Sequence, residues 1–276
     1  MPESRAHGQR LRRRLALGGV WLLRVGGLLL LLVPIGLVIA LSFAADTYTV
    51  IPPTGYSVRW YEKALQESAF LNGAVTSLKI ALIVTPVSVA TGGLAAFALA
   101  RRRVPFAPFV ELCLYSPLMV PLVVTGLAVL ALASRVGFYQ SFWTIVISHV
   151  FITFPYSVRA ISATLARYDT QLDEAAASLG ARPFAAFRRV TLPIIRPGVF
   201  AGALFAFVMS FDDFAVSIFL IGPGTTTLPI AIYQYMEFNL DPAVSAISAM
   251  LVLVAVAGTL IVERFIGLDR FLGIRA

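Results

Sequence analysis

Few residues in this chain could do chemistry, and they sit in an apolar setting. Asp212 and Asp213 are adjacent carboxylates inside the run "FAFVMSFDDFAVSIFL". A charged side chain among so many apolar neighbours is costly unless it faces a water-filled cavity or a partner. Two readings are open. The pair lines a path that attracts cations, with Phe211, Phe214 and Tyr233 able to add cation–π contacts. Alternatively, one carboxylate pairs with an arginine or caps an interrupted helix. His149 lies in another apolar run, where it either lines a cavity or packs between helices. Lys79 and Glu111 invite a structural pairing, and a Lys79–carboxylate pair is open. Cys113 is the only cysteine, so an intrachain disulfide is excluded, and it reads as a small buried hydrophobe. No metal-binding pattern is present, and no nucleophile–base pair marks an intramembrane enzyme. No catalytic residue and no metal site is therefore assigned.

The elements that position these residues must be membrane helices. The chain has 276 residues, 59% of them hydrophobic and only 13% charged, and its mean hydropathy is +0.86. A soluble domain of this composition could not cover its surface with polar groups, whereas lipid removes the need. Apolar stretches run from about Val25 to Phe43, Asn72 to Ala100, Phe106 to Ala133, Phe142 to Ala163, Gly198 to Ile221 and Ala243 to Val262. Each is close to the roughly 20 residues that a helical span needs. The expectation is an all-α integral membrane protein with six spans. The first is read as a retained span rather than a cleaved signal. Pro34, Pro86 and Pro155 fall inside spans, and Pro117 with Pro121 predicts a kink in the third.

The net charge of +8 does not point to nucleic acid, because the cations sit between apolar runs. With the N-terminus inside, all 22 basic residues except Arg59, Lys63, Lys79 and Arg135 fall on the cytoplasmic side. This places a basic tail at 1–24, the transmembrane domain at 25–263 and a second cytoplasmic tail at 264–276. In the largest outer segment, "RWYEKALQ" reads as a short amphipathic helix anchored at the interface by Trp60 and Tyr61. The outer segment from Gly222 to Pro242 reads as turn-rich and partly re-entrant.

The segment 167–197, "RYDTQLDEAAASLGARPFAAFRRVTLPIIRP", differs from the rest. Asp169 and Thr170 offer an N-cap, Asp173 and Glu174 bring negative charge to a first turn, and Gly180 offers a stop. A second helical stretch from Pro183 to Val190 should be halted by Leu192-Pro193 and Arg196-Pro197. Two short helices meeting at a glycine form a rigid projection on which a soluble partner could push.

Within it, Glu174, Ala175, Ala176, Gly180, Val190, Leu192 and Pro193 stand at the spacing of the EAA loop, which the segment resembles, of ABC-importer permeases. Val190 departs mildly, since isoleucine is commoner there. The resemblance implies a six-span permease of the type I importer kind, with coupling helices seated in a groove of an ATPase subunit. Asp173 lies beside the motif. "SFDDFAVSIFLIGPGTTTLPI" further resembles the second permease of spermidine/putrescine-type importers, while relatives carrying opines, amino-acid-like compounds or phosphonates share the pattern. The implied partners are a second permease, an ATPase dimer, an extracytoplasmic binding protein and a small, cationic substrate. No phosphate-binding G-x-x-x-x-G-K-[ST] loop occurs. ATP and Mg would therefore belong to the partner ATPase, with no cofactor on this chain. The expected location is the bacterial inner membrane, with both termini cytoplasmic. An ion-coupled secondary transporter is the rival from another class, and it would need no ATPase.

Overall fold

The computed structural model describes residues 3–101 and 104–266. Arg102, Arg103, Arg270 and Arg275, which carried part of the orientation argument, lie outside them, as does most of the tail expected at 264–276. The described residues are almost wholly helical. In chain order the helices are α1 (Glu3–Ser42), α2 (Arg59–Gln66), α3 (Ser68–Ala100), α4 (Ala107–Tyr115), α5 (Leu122–Val136), α6 (Phe142–Leu165), α7 (Gln171–Ser178), α8 (Pro183–Ala186), α9 (Leu192–Phe211), α10 (Ser217–Leu220), α11 (Leu228–Phe238) and α12 (Ala243–Ile266).

Among the described residues four stretches are long and apolar enough to cross a bilayer: Gly19–Ser42, Ser68–Ala100, Phe142–Leu165 and Pro183–Phe211. A fifth arises if Ala107–Leu118 and Leu122–Val136 are one broken span, and Ala243–Gly258 is a shorter apolar helix. Helical regions fall where the six spans were expected, but only four of them, or five with the broken pair, are long and apolar enough to cross among the described residues, and the third is not one kinked helix. It turns by 94° between its halves. Pro117 sits in a single 3-10 turn, and Pro121 is extended at ψ 131°, so the chain leaves α4 and restarts at Leu122. Proline gives no N–H to continue the ladder.

The chain divides into two compact units. One comprises residues 1–66 and 239–260. In it, Ser42 Oγ and Tyr61 Oη lie 2.6 Å apart, and Lys63 Nζ donates to Asp241 at 2.6 Å. The helix expected from "RWYEKALQ" is α2. Trp60 does not face the interface, however: it is buried, with the Arg59 guanidinium 4.6 Å from its ring centroid. The ring is covered by its own cations, which leaves their charged heads to solvent.

The other unit holds residues 67–238 and is built on α3, α6 and α9, which pack against one another. Lipid supplies no hydrophobic drive between helices, so close packing and internal hydrogen bonds hold them together. A Cβ on Gly92 of α3 would come within 2.8 Å of Ser157 Cβ on α6, and one on Gly198 of α9 within 2.2 Å of Thr164 Oγ1. Ser88 and Thr153 hydroxyls meet at 2.7 Å, and Ser157 Oγ donates to Gly202 O at 3.3 Å. Around these staples pack Ile80, Val84, Ile145, Ile152 and Val216, and nearer the other end Val158, Ile161, Leu165 and Ile195.

The segment from Gly222 is more ordered than a turn-rich loop. Thr227 O accepts from Ala231 N at 2.9 Å and opens α11, with Pro229 in its first turn. Ser77 Oγ on α3 accepts from Leu228 N at 2.9 Å, and Leu228, Ile230 and Ala231 are buried. Cys113, expected to be buried, is exposed on α4. No α4 side chain is buried in this chain, so that face is left to lipid or to another subunit. Lys79 and Glu111 are also exposed and form no ion pair among the described residues.

The close approach of α9 to α6 is testable. Gly198→Val should destabilise the purified protein by about 1–3 kcal/mol through overpacking, read as a lower Tm in detergent. Gly26→Ala, whose Cβ would meet nothing within 4 Å, should leave Tm unchanged.

Candidate functional site: a projecting segment and a broken helix at opposite ends of α9

The segment 167–197 starts where α6 ends. Asp169 Oδ1 accepts from Gln171 N at 2.9 Å and opens α7, while the Thr170 side chain makes no capping bond. Gly180 ends α7 at φ +80°, a conformation that favours glycine. Gly180 N–H donates to Ala177 O at 2.9 Å and Ala181 N–H to Ala176 O at 3.0 Å. This is the Schellman pair, and it explains physically why glycine follows the alanines at this spacing. Beyond it the chain does not stop as the prolines suggested. α8 passes through a wide turn at Phe187–Thr191 directly into α9, giving one helical run from Pro183 to Phe211. Leu192 N–H reaches back to Phe187 O, five residues away. The wide turn sits just before Pro193, which has no N–H to give, so it absorbs the break in the ladder. Pro197 is carried inside α9.

Asp173 ties this segment to the core. Its Oδ2 accepts from Arg101 Nη2 at the end of α3 at 2.6 Å. Its Oδ1 accepts from Tyr168 Oη at 2.9 Å and from Thr191 Oγ1 at 3.0 Å. One carboxylate thus joins the ends of α3 and α6 to α7 and to the wide turn. Burial, and then the Asp173 carboxylate itself, push the Tyr168 phenol above its ordinary value, so it remains a donor across the physiological range. Charge-assisted bonds contribute about 1.5–3 kcal/mol each, less for Arg101, which solvent reaches. Glu174, Ala175 and Pro193 are exposed, whereas Ala176, Val190 and Leu192 are half-buried. Leu179 is 89% and Phe184 73% exposed. Two large apolar side chains bared beside a shallow concavity lined by Ala176, Arg182, Arg189 and Val190 mark a surface built for contact.

At its other end α9 stops at Phe211, so the acidic pair does not lie within a helix. Asp212 closes α9, its N–H donating to Val208 O at 3.0 Å, and its side chain is exposed. Asp213 is 6% exposed. It accepts from Val216 N at 3.2 Å, Ser217 N at 2.8 Å and Ser217 Oγ at 2.9 Å, capping α10. His149 of α6 is fully buried beside it. Its Nε2 lies 2.9 Å from Ser217 Oγ and 3.3 Å from Asp213 Oδ2, and its Nδ1 lies 3.0 Å from Ser210 Oγ. Phe214 and Tyr233 rings pack with centroids 5.1 Å apart, and Phe211 stacks on Phe207 at 5.9 Å. The structure therefore separates the two carboxylates: Asp213 is saturated by the chain's own donors, and Asp212 is open. Sequence reasoning did not join His149 to this site, because no spacing links α6 to residues 210–217. Its only signal was a histidine in a span, which must find polar partners.

A multi-helix membrane subunit with a projecting two-helix segment is the architecture of an importer permease, and the comparisons agree. Residues 88–268 match the family described as binding-protein-dependent transport system inner membrane component. The chain belongs to this family and is an ABC transporter permease, a transport subunit and not an enzyme. It is 31% identical over 243 residues to the spermidine/putrescine transport system permease protein PotC of Escherichia coli (strain K12), covering 88% of this chain and 91% of that protein. To the putrescine transport system permease protein PotI of the same strain it is 33% identical over 232 residues, covering 82% of each. To the putative 2-aminoethylphosphonate transport system permease protein PhnV of Salmonella paratyphi A it is 27% identical, covering 81% of this chain and 83% of that protein. In fold it resembles a chain of a bacterial ABC transporter involved in the import of the acidic polysaccharide alginate, with a TM-score of 0.71 and 15% identity over 93% of this chain and 98% of that one.

Asp173→Ala should free α7 from the core. Limited proteolysis within 167–191 should speed up about tenfold or more, as expected for losing a charge-assisted bond, with membrane insertion unchanged. Gly180→Ala should cost about 1 kcal/mol by straining the φ +80° position, read as a smaller gain in the same proteolysis assay.

Proposed function

We propose that this chain is one of two permeases in an ATP-driven importer of polyamines in the bacterial inner membrane. The observation that carries the substrate class is the open Asp212 carboxylate, two residues before Phe214, whose ring packs on Tyr233. An exposed anion at the broken end of a span suits a small cation, and aromatic faces suit the ammonium groups and the methylenes between them. The relatives named for spermidine and putrescine support the same class. Phe211 belongs to this lining, while Asp213 serves it from behind.

The other partners follow from the family: a second permease, an ATPase dimer and an extracytoplasmic binding protein. ATP and Mg act on the ATPase, and this chain holds no cofactor. Its contribution is mechanical. The face carrying Glu174, Leu179 and Phe184 seats in the ATPase, and closure of the ATPase dimer moves this segment. Because α8 runs unbroken into α9, that motion reaches Asp212 at the far end, opening the path outward. Hydrolysis returns it inward. Both termini lie in the cytoplasm in this arrangement, with the 167–197 segment on the same side, where most basic residues fall.

The test is uptake of radiolabelled putrescine and spermidine into cells carrying the full transporter with and without this chain. ATP-dependent uptake that vanishes with the chain supports the reading. Gradient-driven uptake without an ATPase sinks it. Uptake of an amino-alkylphosphonate in place of polyamines would move the substrate to the class for which PhnV is named. Glu174→Lys should abolish uptake and co-purification of the ATPase while leaving insertion intact, and normal uptake by that variant would remove the docking role.

A further inference from the structure

We infer that His149 is a positioning residue for substrate recognition, holding Asp212 in the translocation path through Asp213 although it touches no substrate itself. The inference rests on the polyamine-permease reading above. Its basis is a chain of contacts. Ser217 N–H and the Ser217 hydroxyl both donate to Asp213 Oδ2. The hydroxyl proton is thereby used, so Ser217 Oγ can only accept from His149 Nε2, at 2.9 Å. Nε2 then carries a hydrogen, shared toward Asp213 at 3.3 Å, and Nδ1 pairs with Ser210 Oγ at 3.0 Å. The imidazole therefore bridges both sides of the helix break, Ser210 in the last turn of α9 and Ser217 in the first of α10. It does so from α6, which packs on α3 and α9 and forms the rigid part of this unit.

The break needs such a bridge. Between Phe211 and Ser217 the helical ladder is interrupted, and a chain end in lipid keeps one shape only where donors and acceptors are fixed. Asp213 caps one side, and His149 fixes that cap to α6. Asp212 is the next residue back, so its direction is set by the same geometry. With His149 removed, Asp213 and both serines lose a buried partner and the break can reorient. The carboxylate at 212 then samples several directions, and substrate affinity falls before assembly does.

The test uses the full transporter in cells and in membrane vesicles. His149→Ala and Ser217→Ala should raise the half-saturation for putrescine about tenfold, the size expected for one charge-assisted bond, with a smaller change in maximal rate. Asp212→Asn should raise it as well. Combined with Asp212→Asn, His149→Ala should add little, because both act on one carboxylate. A second readout needs no substrate. In a Cys113→Ser background, labelling of Asp212→Cys by a water-soluble maleimide should change in rate about tenfold when His149 is also replaced by alanine. Additive half-saturation effects with unchanged labelling would overturn the inference and leave the permease reading standing. An Asp212→Asn variant with normal half-saturation would overturn the path reading and the inference together. If His149→Ala does not accumulate, Ser217→Ala and Ser210→Ala carry the same comparison, and normal half-saturation in both overturns the inference.

Discussion

A backbone that leaves its helix must find new partners for its N–H and C=O groups, and that constraint governs both ends of α9. Each place where the ladder fails is filled by the chain's own donors and acceptors. Before Pro193 the ladder widens, and Leu192 N–H reaches to Phe187 O. After Phe211 it ends, and Asp213 takes the N–H groups of Val216 and Ser217. In each case the repair is side chain or backbone, local, and tied to a neighbouring helix: Thr191 to Asp173 of α7 at one end, Ser217 to His149 of α6 at the other. Interruptions of this kind cost several kcal/mol when unsatisfied, so a membrane protein keeps them where they serve a purpose.

The first repair lies within, and the second at the end of, a helical run of 29 residues, Pro183–Phe211, about 43 Å long at 1.5 Å per residue. It begins in the segment that bears Glu174 and Gly180 and ends one residue before Asp212. Small residues let it lie close to α6, with Gly198 against Thr164 and Gly202 against Ser157. A stiff element packed this tightly moves as a body and does not bend to absorb a push. In the proposed transporter, a push on α7 and α8 would reach the acidic end with little loss. The carboxylate of Asp173 keeps α7 attached to that lever, by holding Thr191 and Arg101 at once.

Much of this was legible in the sequence, and the exceptions share a cause. The stop at Gly180 could be read because a positive-φ glycine after an alanine-rich turn is a local signal. The membrane helices could be read because their apolar runs are long. The end of α9 could be read only as one alternative, a carboxylate capping an interrupted helix, since Phe214 to Leu220 are as apolar as the residues before them and hydropathy does not register a hydrogen-bonded break. α11 was hidden for the opposite reason: Gly222, Pro223 and Gly224 spoke for turns, while the opening at Thr227 with Pro229 in the first turn was a helix start read as loop chemistry. The expected stop before α9 failed because two prolines fit a helix whose turn widens ahead of them. His149 and Asp173 became sites only when distant segments met.

The claim on which the account rests is that the coupling segment and the acidic end of α9 form one rigid body. Spin labels at Phe184→Cys and Phe205→Cys, both exposed positions, in a Cys113→Ser background, would measure it in the assembled transporter by pulsed electron spin resonance. One narrow distance, unchanged between the nucleotide-free and ATP-bound states, is the predicted result. A distance that broadens or shifts when ATP binds would show that the wide turn at Phe187–Thr191 acts as a hinge, and would contradict the account.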